Sequence, residues 1–298
     1  MKSAKMLQGY LYSILSAVIY GLMPLMATHI YADGVNALTL VFLRNFLALP
    51  SLAILAFFQN KTLKIEIKSF FSTSILSFLG CTITPILLFS SYNYIPSGTA
   101  TVFHFVYPTL VVIIGLIFLK KKIEKTTLIS IALCFVGIVL FYNPQQAFHF
   151  GGAGLALASG VTFATYVVLL SKFDNLKNLG FLFSFYVALW SSIITFVLCV
   201  STNQLALPTS VKGWLLCALF ALLVTTGAVV LFQQGAFIIG GEKTAIVSTL
   251  EPITGVVVGV WLLNENCKFN TVLGSVLVLA ASVIIAVNDI KKQQKSNL

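Results

Sequence analysis

Two charged side chains lie deep inside apolar stretches of this 298-residue sequence. Arg44 stands eight residues into the stretch 36–58, and Glu251 stands seven residues into the stretch 244–263. A charge in the middle of a bilayer costs about 2.5–3.5 kcal/mol on insertion scales, so each residue should have a partner or a function. The two residues form either a structural ion pair or part of a binding site. In a binding site, Arg44 would hold a carboxylate or phosphate, and Glu251 would hold an amine or carry a proton.

One histidine and four tyrosines are further candidates for a substrate site. His104 and Tyr107 are three residues apart, which places them on one face of a helix. A histidine on an apolar helix can instead be a hydrogen-bonded packing residue, and both interpretations of His104 stay open. The other tyrosines are candidates because a buried phenol needs a hydrogen-bond partner. They are Tyr20, Tyr92 and Tyr166.

The residues that enzymes and metal sites require are absent or scattered. The sequence has three widely separated histidines and no HExxH, GxSxG or paired acidic motif. Its five cysteines form no CxxC pair, and we interpret them as small core residues without disulfides. There is no GxxxxGK[ST] phosphate-binding motif. We therefore expect no enzymatic activity, no metal and no cofactor.

The composition indicates that lipid surrounds most of the chain. Hydrophobic residues make up 58% of the sequence and charged residues only 9%, whereas soluble domains have about 25% charged residues. The net charge of +10 could suggest nucleic acid as a partner, but no basic stripe or recognition motif accompanies it. We therefore predict an all-α polytopic membrane protein that does not bind nucleic acid.

The apolar stretches predict ten transmembrane helices, since a bilayer core about 30 Å thick needs about 20 residues of helix. Only short connections separate them, so no separate soluble domain is expected. We call them span one to span ten in chain order. They cover residues 7–28, 36–58, 70–91, 97–119, 126–142, 152–170, 181–201, 212–235, 244–263 and 271–288.

The lysines predict the orientation of these spans. In a ten-span arrangement fifteen lysines fall on one side of the membrane, and only Lys212 and Lys268 fall on the other. Lysine and arginine accumulate on the cytoplasmic side of membrane proteins. We therefore predict a multi-pass protein of the cytoplasmic membrane with both termini in the cytoplasm.

An internal repeat relates the two halves of the chain. A shift of 144 residues matches Pro108 with Pro252, Gly115 with Gly259 and Tyr107 with Glu251; a shift of 143 matches Gly9 with Gly152 and Tyr20 with Phe163. Each half holds five spans, and an odd number inverts the second half relative to the first. We predict two inverted five-helix repeats, at 9–142 and 151–287. Many secondary transporters have this architecture, with the substrate near the midplane between the repeats.

Several of these segments resemble the ten-helix drug/metabolite transporter superfamily, EamA type. The resemblance covers about 9–142 and 151–287. It rests on Leu250-Glu251-Pro252 followed by Gly259-Val260-Trp261-Leu262-Leu263-Asn264-Glu265, on Val106-Tyr107-Pro108 with Gly115, on Arg44-Asn45-Phe46-Leu47-Ala48 and on Tyr20-Gly21. Where the first repeat of the family usually has a glutamate after its fourth span, this chain has Lys120-Lys121. The resemblance implies a carrier of small metabolites, often amino-acid-like or amphipathic, without an ATP-binding part.

Together these features predict a secondary active transporter that moves a small metabolite by alternating access. The alternative is a membrane channel or a scramblase-type protein without coupled transport. The expected partners are a small-molecule substrate and the lipid bilayer, with a proton as one option for the coupling ion. The sequence leaves open the substrate, import or export, and whether the protein is a monomer or a homodimer.

Overall fold

The structure, a computed structural model, is helical throughout its described part. It describes residues 2–60, 62–118, 125–140 and 149–248. In the last fifty residues it describes 250–251, 254, 269–270, 272–277, 279–281 and 283–284. Within these ranges all regular secondary structure is α- or π-helix, apart from a single 3-10 turn at Asp174–Leu176.

Seven helical segments in the described ranges are long and apolar enough to cross a membrane, which makes the chain a multi-pass membrane protein. They coincide with spans one to four and six to eight. They are Lys5–Ala32, Ala37–Gln59, Ile67–Ser91, Ser97–Gly115, Phe150–Lys172, Phe181–Ser201 and Val211–Ile239.

The other three spans are described only in part. Helix Lys125–Leu140 covers most of span five, and helix Gly241–Val247 covers the beginning of span nine. A shorter apolar helix, Val272–Ala281, lies within span ten. The rest of spans nine and ten, including the Gly259 region, lies outside the described residues. The count of ten spans therefore stays a prediction.

Prolines divide three of the spans that we expected to be continuous helices. In each of spans one, two and four a second helix begins one residue before a proline: Pro24, Pro50 or Pro108. Proline lacks a backbone N–H and its ring clashes with the carbonyl four residues earlier, so it is tolerated only in the first turn of a helix. The helix pairs are Lys2–Gly21 with Met23–Ala32, Ala37–Phe46 with Leu49–Asn60, and Ser97–His104 with Tyr107–Phe118.

Spans three and eight each contain a π-helical segment, which we did not expect. The segment is Ser77–Ile83 in span three and Ala221–Val229 in span eight. The shift of 144 residues that relates the two halves also relates the first residues of these segments. π-Helices are rare and often lie at functional sites. α-Helices flank both segments: Ile67–Leu76 and Thr84–Ser91 in span three, and Val211–Phe220 and Val230–Ile239 in span eight.

The interior of the helix bundle is filled with aromatic side chains. Phe89, Phe103, Phe183 and Phe220 are fully buried. Many large apolar side chains on the outer helix faces are exposed, among them Phe196, which is 46% exposed. In a membrane protein such faces contact lipid, so their exposure agrees with the seven candidate spans.

Candidate functional site

A cavity of about 40 Å³ lies where spans one, two, three, four, six, eight and nine converge. This volume holds a few water molecules, since each needs about 10–15 Å³ by this measure. Seven lining residues are polar or charged: Tyr20, Arg44, Thr84, His104, Tyr107, Ser248 and Glu251. The others are apolar or glycine: Met23, Gly80, Pro85, Leu88, Phe89, Phe163 and Phe232.

Five of the seven candidate site residues predicted from the sequence line this one cavity. They come from spans one, two, four and nine, which lie far apart in the chain. They are Tyr20, Arg44, His104, Tyr107 and Glu251. Their part in binding stays a prediction, while their convergence is a property of the fold.

Arg44 reaches the cavity from span two and is held by span eight. Its Nε donates a hydrogen bond of 3.2 Å to the hydroxyl of Thr225. Its Cζ lies 5.9 Å from the centroid of the Phe89 ring, within cation–π range. Arg44 is only 3% exposed. In the described part of the chain no ion pair joins it to Glu251, although both line the cavity.

Glu251 lines the cavity shortly after the end of helix Gly241–Val247 in span nine. Its backbone N–H donates to the carbonyl oxygen of Ser248 at 2.9 Å. Span one packs closely here because Gly21 has no side chain: a Cβ at Gly21 would lie 2.9 Å from the carbonyl oxygen of Glu251. Glu251 is 6% exposed, so the carboxyl group is nearly enclosed.

His104 and Tyr107 stand on either side of the break in span four. The Nδ1 of His104 lies 2.8 Å from the hydroxyl oxygen of Ser159 in span six. The ring of Tyr107 makes an edge contact with Phe163, with centroids 4.7 Å apart, and lies 5.3 Å from the His104 ring. Offset or edge-to-face contacts of this kind stabilise an aromatic cluster and fix its orientation.

Tyr92 and Tyr166 do not line the cavity in this conformation. Tyr92 packs against Phe89, with ring centroids 5.8 Å apart. The phenol oxygen of Tyr166 accepts a hydrogen bond of 3.1 Å from Gln233, and its ring lies 5.6 Å from Phe163. Both tyrosines therefore lie one layer behind the cavity wall. A role for them in binding stays a prediction.

The residues that we did not nominate are mostly the apolar part of the wall. Composition could not identify them, because an apolar residue in a span can face lipid, core or cavity. The internal repeat could have identified Phe163, which matches Tyr20 at the shift of 143. It could likewise have identified Ser248, which matches His104 at the shift of 144.

The described residues offer no metal site. Nowhere among them do three His, Cys, Asp or Glu side chains come together in an arrangement that could hold a metal ion. Three cysteines in the described ranges, Cys81, Cys199 and Cys217, are buried and free.

A family model matches most of this chain, and a solved structure has a similar fold. The family described as the EamA-like transporter family matches this chain twice, at residues 7–143 and at residues 150–287. A crystal structure of a protein with 15% sequence identity superposes with a TM-score of 0.67 over 93% of this chain and 95% of that one.

Several relatives are named transporters. An uncharacterized transporter of Clostridium kluyveri is 22% identical over 96% of this chain and 97% of its own length. An uncharacterized transporter of Archaeoglobus fulgidus is 23% identical over 91% of this chain and 93% of its own length. A protein of Rickettsia bellii named S-adenosylmethionine uptake transporter is 24% identical over 67% of each chain.

Proposed function

We propose that this chain, which belongs to the EamA-like transporter family, is a secondary carrier that moves a small metabolite across the cytoplasmic membrane by alternating access. Membership makes it a membrane transporter; the mechanism, the membrane and the site are our proposal. The central cavity is the proposed substrate site, and Arg44, Glu251, His104, Tyr107 and Tyr20 are its proposed polar contacts.

One observation carries the proposal: the cavity is lined by matching residues from both halves of the chain. Four pairs of lining residues occupy equivalent positions at the repeat shifts. They are Leu88 with Phe232, His104 with Ser248 and Tyr107 with Glu251 at 144, and Tyr20 with Phe163 at 143. A site on the axis between two inverted repeats can face either side of the membrane in turn, which supports alternating access.

Close contacts at two equivalent glycines also support two inverted repeats at 9–142 and 151–287. A Cβ at Gly9 would lie 2.6–2.8 Å from the side chains of Ile238 and Ile239. A Cβ at Gly152 would lie 2.6 Å from Tyr94 and 3.2 Å from Ile95. Gly9 matches Gly152, and Tyr94 and Ile95 match Ile238 and Ile239. The first helix of each repeat therefore packs on the other repeat in the same way.

The size of the cavity bears on the mechanism. A metabolite of the size of an amino acid does not fit in about 40 Å³, so helices must separate before it can enter. Under the orientation that we propose, the Gly9 contact closes the cytoplasmic side and the Gly152 contact closes the outer side. A channel or scramblase-type protein is the rival interpretation, and it would not exchange one substrate molecule for another.

The lining suggests a small zwitterion with an apolar part. Arg44 would bind an anionic group and Glu251 a cationic one, while Met23, Phe89 and Phe163 offer apolar and aromatic surface. S-adenosylmethionine, which the Rickettsia bellii relative is named for, has these chemical features and is the first compound to test. If Glu251 instead carries a proton, the coupling ion is a proton.

Glu251→Gln separates these two roles. A proton-carrying Glu251 predicts that the variant loses pH-gradient-driven uptake but keeps substrate exchange across proteoliposomes. A substrate-binding Glu251 predicts loss of both, together with loss of ligand-induced thermal stabilisation, which for a bound ligand at 100 times its Kd is about 2.7 kcal/mol. Glu66→Gln is the matched control, because Glu66 is exposed in a connection outside the spans. Wild-type behaviour of Glu251→Gln in both assays would remove Glu251 from the site.

A further inference from the structure

Two hydroxyl groups behind the cavity wall hold the two nitrogen-bearing side chains that line it. Thr225 in span eight accepts the hydrogen bond from Arg44 Nε, and Ser159 in span six lies 2.8 Å from Nδ1 of His104. Both hydroxyl residues are buried, at 2% and 0% exposure, and neither lines the cavity. Arg44 and His104 belong to residues 7–143 of the family match, whereas the two hydroxyls belong to 150–287.

The contacts of Ser159 favour one tautomer of His104. The Ser159 hydroxyl lies 2.6 Å from the carbonyl oxygen of Ala156, which can only accept, so we assign the hydroxyl hydrogen to that bond. The Ser159 oxygen then accepts from His104, and Nδ1 carries the hydrogen. In the neutral ring Nε2 is then an acceptor. His104 lines the cavity, so the ring can accept a hydrogen bond from a ligand there.

The contacts of Arg44 define its orientation in the same way. A guanidinium has five N–H groups, and Thr225 takes the one on Nε. Phe89 lies beside the guanidinium at 5.9 Å. Within the described part of the chain the two terminal nitrogens make no hydrogen bond, and together they form the planar fork that matches a carboxylate.

We propose that Thr225 and Ser159 are positioning residues that present the fork of Arg44 and the acceptor of His104 to one ligand. The ligand would have a carboxylate for Arg44 and an N–H or O–H donor for His104. This inference rests on the proposed function, because it assigns substrate recognition to the same cavity. One hydrogen bond joins span two to span eight and the other joins span four to span six, so movement of these helices apart breaks the bonds and releases the ligand.

The chain allows a direct spectroscopic test, because Arg44 is its only arginine and it has three histidines. Protein labelled with ¹⁵N-arginine in detergent should give a single Nε–H signal. We expect its hydrogen exchange to be about tenfold faster in Thr225→Val and close to wild type in Thr225→Ser. Thr226→Val is the matched control, because the neighbouring hydroxyl pairs with Ser51 instead. Equal exchange in wild type and Thr225→Val would overturn the role of Thr225.

The tautomer of His104 in the wild-type protein tests the role of Ser159 even if Ser159→Ala does not fold. In ¹⁵N-histidine spectra, assigned with His104→Gln, the hydrogen of His104 should be on Nδ1. Ser159→Ala should release this preference. Ser171→Ala, which removes a hydroxyl of the same span bonded to its own helix, should not. A hydrogen on Nε2 in the wild type would overturn the assignment.

Sodium acetate serves as the carboxylate probe for Arg44. Titration should shift the Nε–H signal in the wild type and in Thr225→Ser, and the apparent Kd should rise at least about fivefold in Thr225→Val. Unchanged affinity in Thr225→Val, or no shift in the wild type, would contradict the proposal. The titration measures binding and not transport, so it tests the positioning role separately from the proposed function. Acetate binding as predicted would uphold the positioning role even if a separate assay finds no metabolite transport, and that second result would refute the proposed function.

Discussion

Arg44 forms its hydrogen bond with Thr225 rather than with Glu251. Removing a charged group from water without a partner costs several kcal/mol, so a charge that faces a cavity in lipid is expected to serve a ligand. The arrangement therefore favours the binding interpretation of Arg44 over a structural ion pair. A functional replacement for Arg44 must therefore be a planar group that reaches Thr225 and still presents a fork of N–H donors to the cavity.

Lysine at position 44 cannot reproduce it. We expect Arg44→Lys to fold and to lose transport about tenfold or more, since a hydrogen bond to a charged group contributes about 1.5–3 kcal/mol. The measurement is substrate exchange in proteoliposomes, with the melting temperature as the control for folding. We also expect Arg44→Gln combined with Glu251→Gln to show no rescue. Normal transport by Arg44→Lys, or rescue in the double variant, would return Arg44 to a structural role.

The sequence identified the charged residues of the cavity wall but only some of the other lining residues. Arg44 and Glu251 stand out because charge is costly in an apolar stretch. Phe163 and Phe232 do not, because nothing in composition separates a cavity-facing phenylalanine from a lipid-facing one. Tyr166 was nominated because its phenol needs a partner, and that partner is Gln233, behind the wall. The rule that a buried phenol needs a hydrogen-bond partner therefore predicts that Tyr166 has such a partner, and it does not predict that Tyr166 faces the cavity.

Gly160 in span six packs so closely against the backbone of span four that a larger side chain does not fit. A Cβ at Gly160 would lie 2.7 Å from the carbonyl oxygen of His104, which is backbone and cannot move alone. We expect Gly160→Ala to destabilise the protein by about 1–3 kcal/mol through overpacking. Gly154→Ala on the same helix is the control, because nothing lies within 4 Å of its Cβ. Thermal unfolding in detergent measures both, and equal melting temperatures would show that the helices are not packed this closely.

At the scale of elements, hydropathy predicted the seven candidate spans of the described ranges but not how each is built. The prolines that divide spans one, two and four were visible in the sequence, yet a length-and-hydropathy criterion ignores them. The π-helical segments Ser77–Ile83 and Ala221–Val229 have no compositional signal at all. They differ from α-helix in hydrogen-bond register, i→i+5 in place of i→i+4, which hydropathy does not report.

Spans two and seven are joined at three levels. Near one end the Asn36 side chain donates to the carbonyl of Gln204 at 2.6 Å. In the middle Asn45 donates to the hydroxyl of Ser191 at 3.1 Å. Near the other end the N–H of Phe181 donates to the side chain of Gln59 at 2.8 Å. We infer that the two spans move as one body.

Beside the Asn36 contact, further hydrogen bonds join the connection after span one to the residues before span eight. Asp33 accepts hydrogen bonds from the backbone N–H groups of Thr209, at 3.0 Å, and Ser210, at 3.2 Å. Hydrogen bonding from Ser210, and then from Thr209, lowers the pKa of Asp33 below its ordinary value. A lowered pKa means that this link is intact at neutral pH and is lost only as the pH falls through that lowered value.

Disulfide cross-links test which elements move. In a background without native cysteines, we expect a bridge between cysteines at Asn36 and Gln204 to leave transport intact, because spans two and seven move together. A bridge between cysteines at Tyr94 and His149, whose rings stack with centroids 4.5 Å apart, should abolish transport until it is reduced, because it holds the proposed outer side closed. Substrate exchange before and after reductant is the measurement. Loss of transport with the first bridge and not the second would reverse the assignment of fixed and moving elements.

At the scale of the whole molecule, the lysine distribution predicts the orientation of the bundle. Glu66 lies in the connection after span two and Leu205 in the connection after span seven, and both are exposed. In intact cells a membrane-impermeant thiol reagent should label a cysteine at Leu205 and spare one at Glu66. Lysed cells, in which both sites should react, provide the control. Labelling in the opposite sense would invert the topology and exchange the proposed inner and outer sides.

The central claim is that the molecule is a carrier. An exchange experiment that requires no knowledge of the substrate tests this claim most directly. Proteoliposomes filled with an unlabelled bacterial metabolite extract are placed in a dilute ¹³C-labelled extract, and mass spectrometry follows the labelled compounds that enter. Alternating access predicts that at least one labelled metabolite rises transiently above its outside concentration in wild-type vesicles, and not in vesicles without protein. Labelled compounds that only equilibrate, as through a channel, or that enter no faster than without protein, would contradict it.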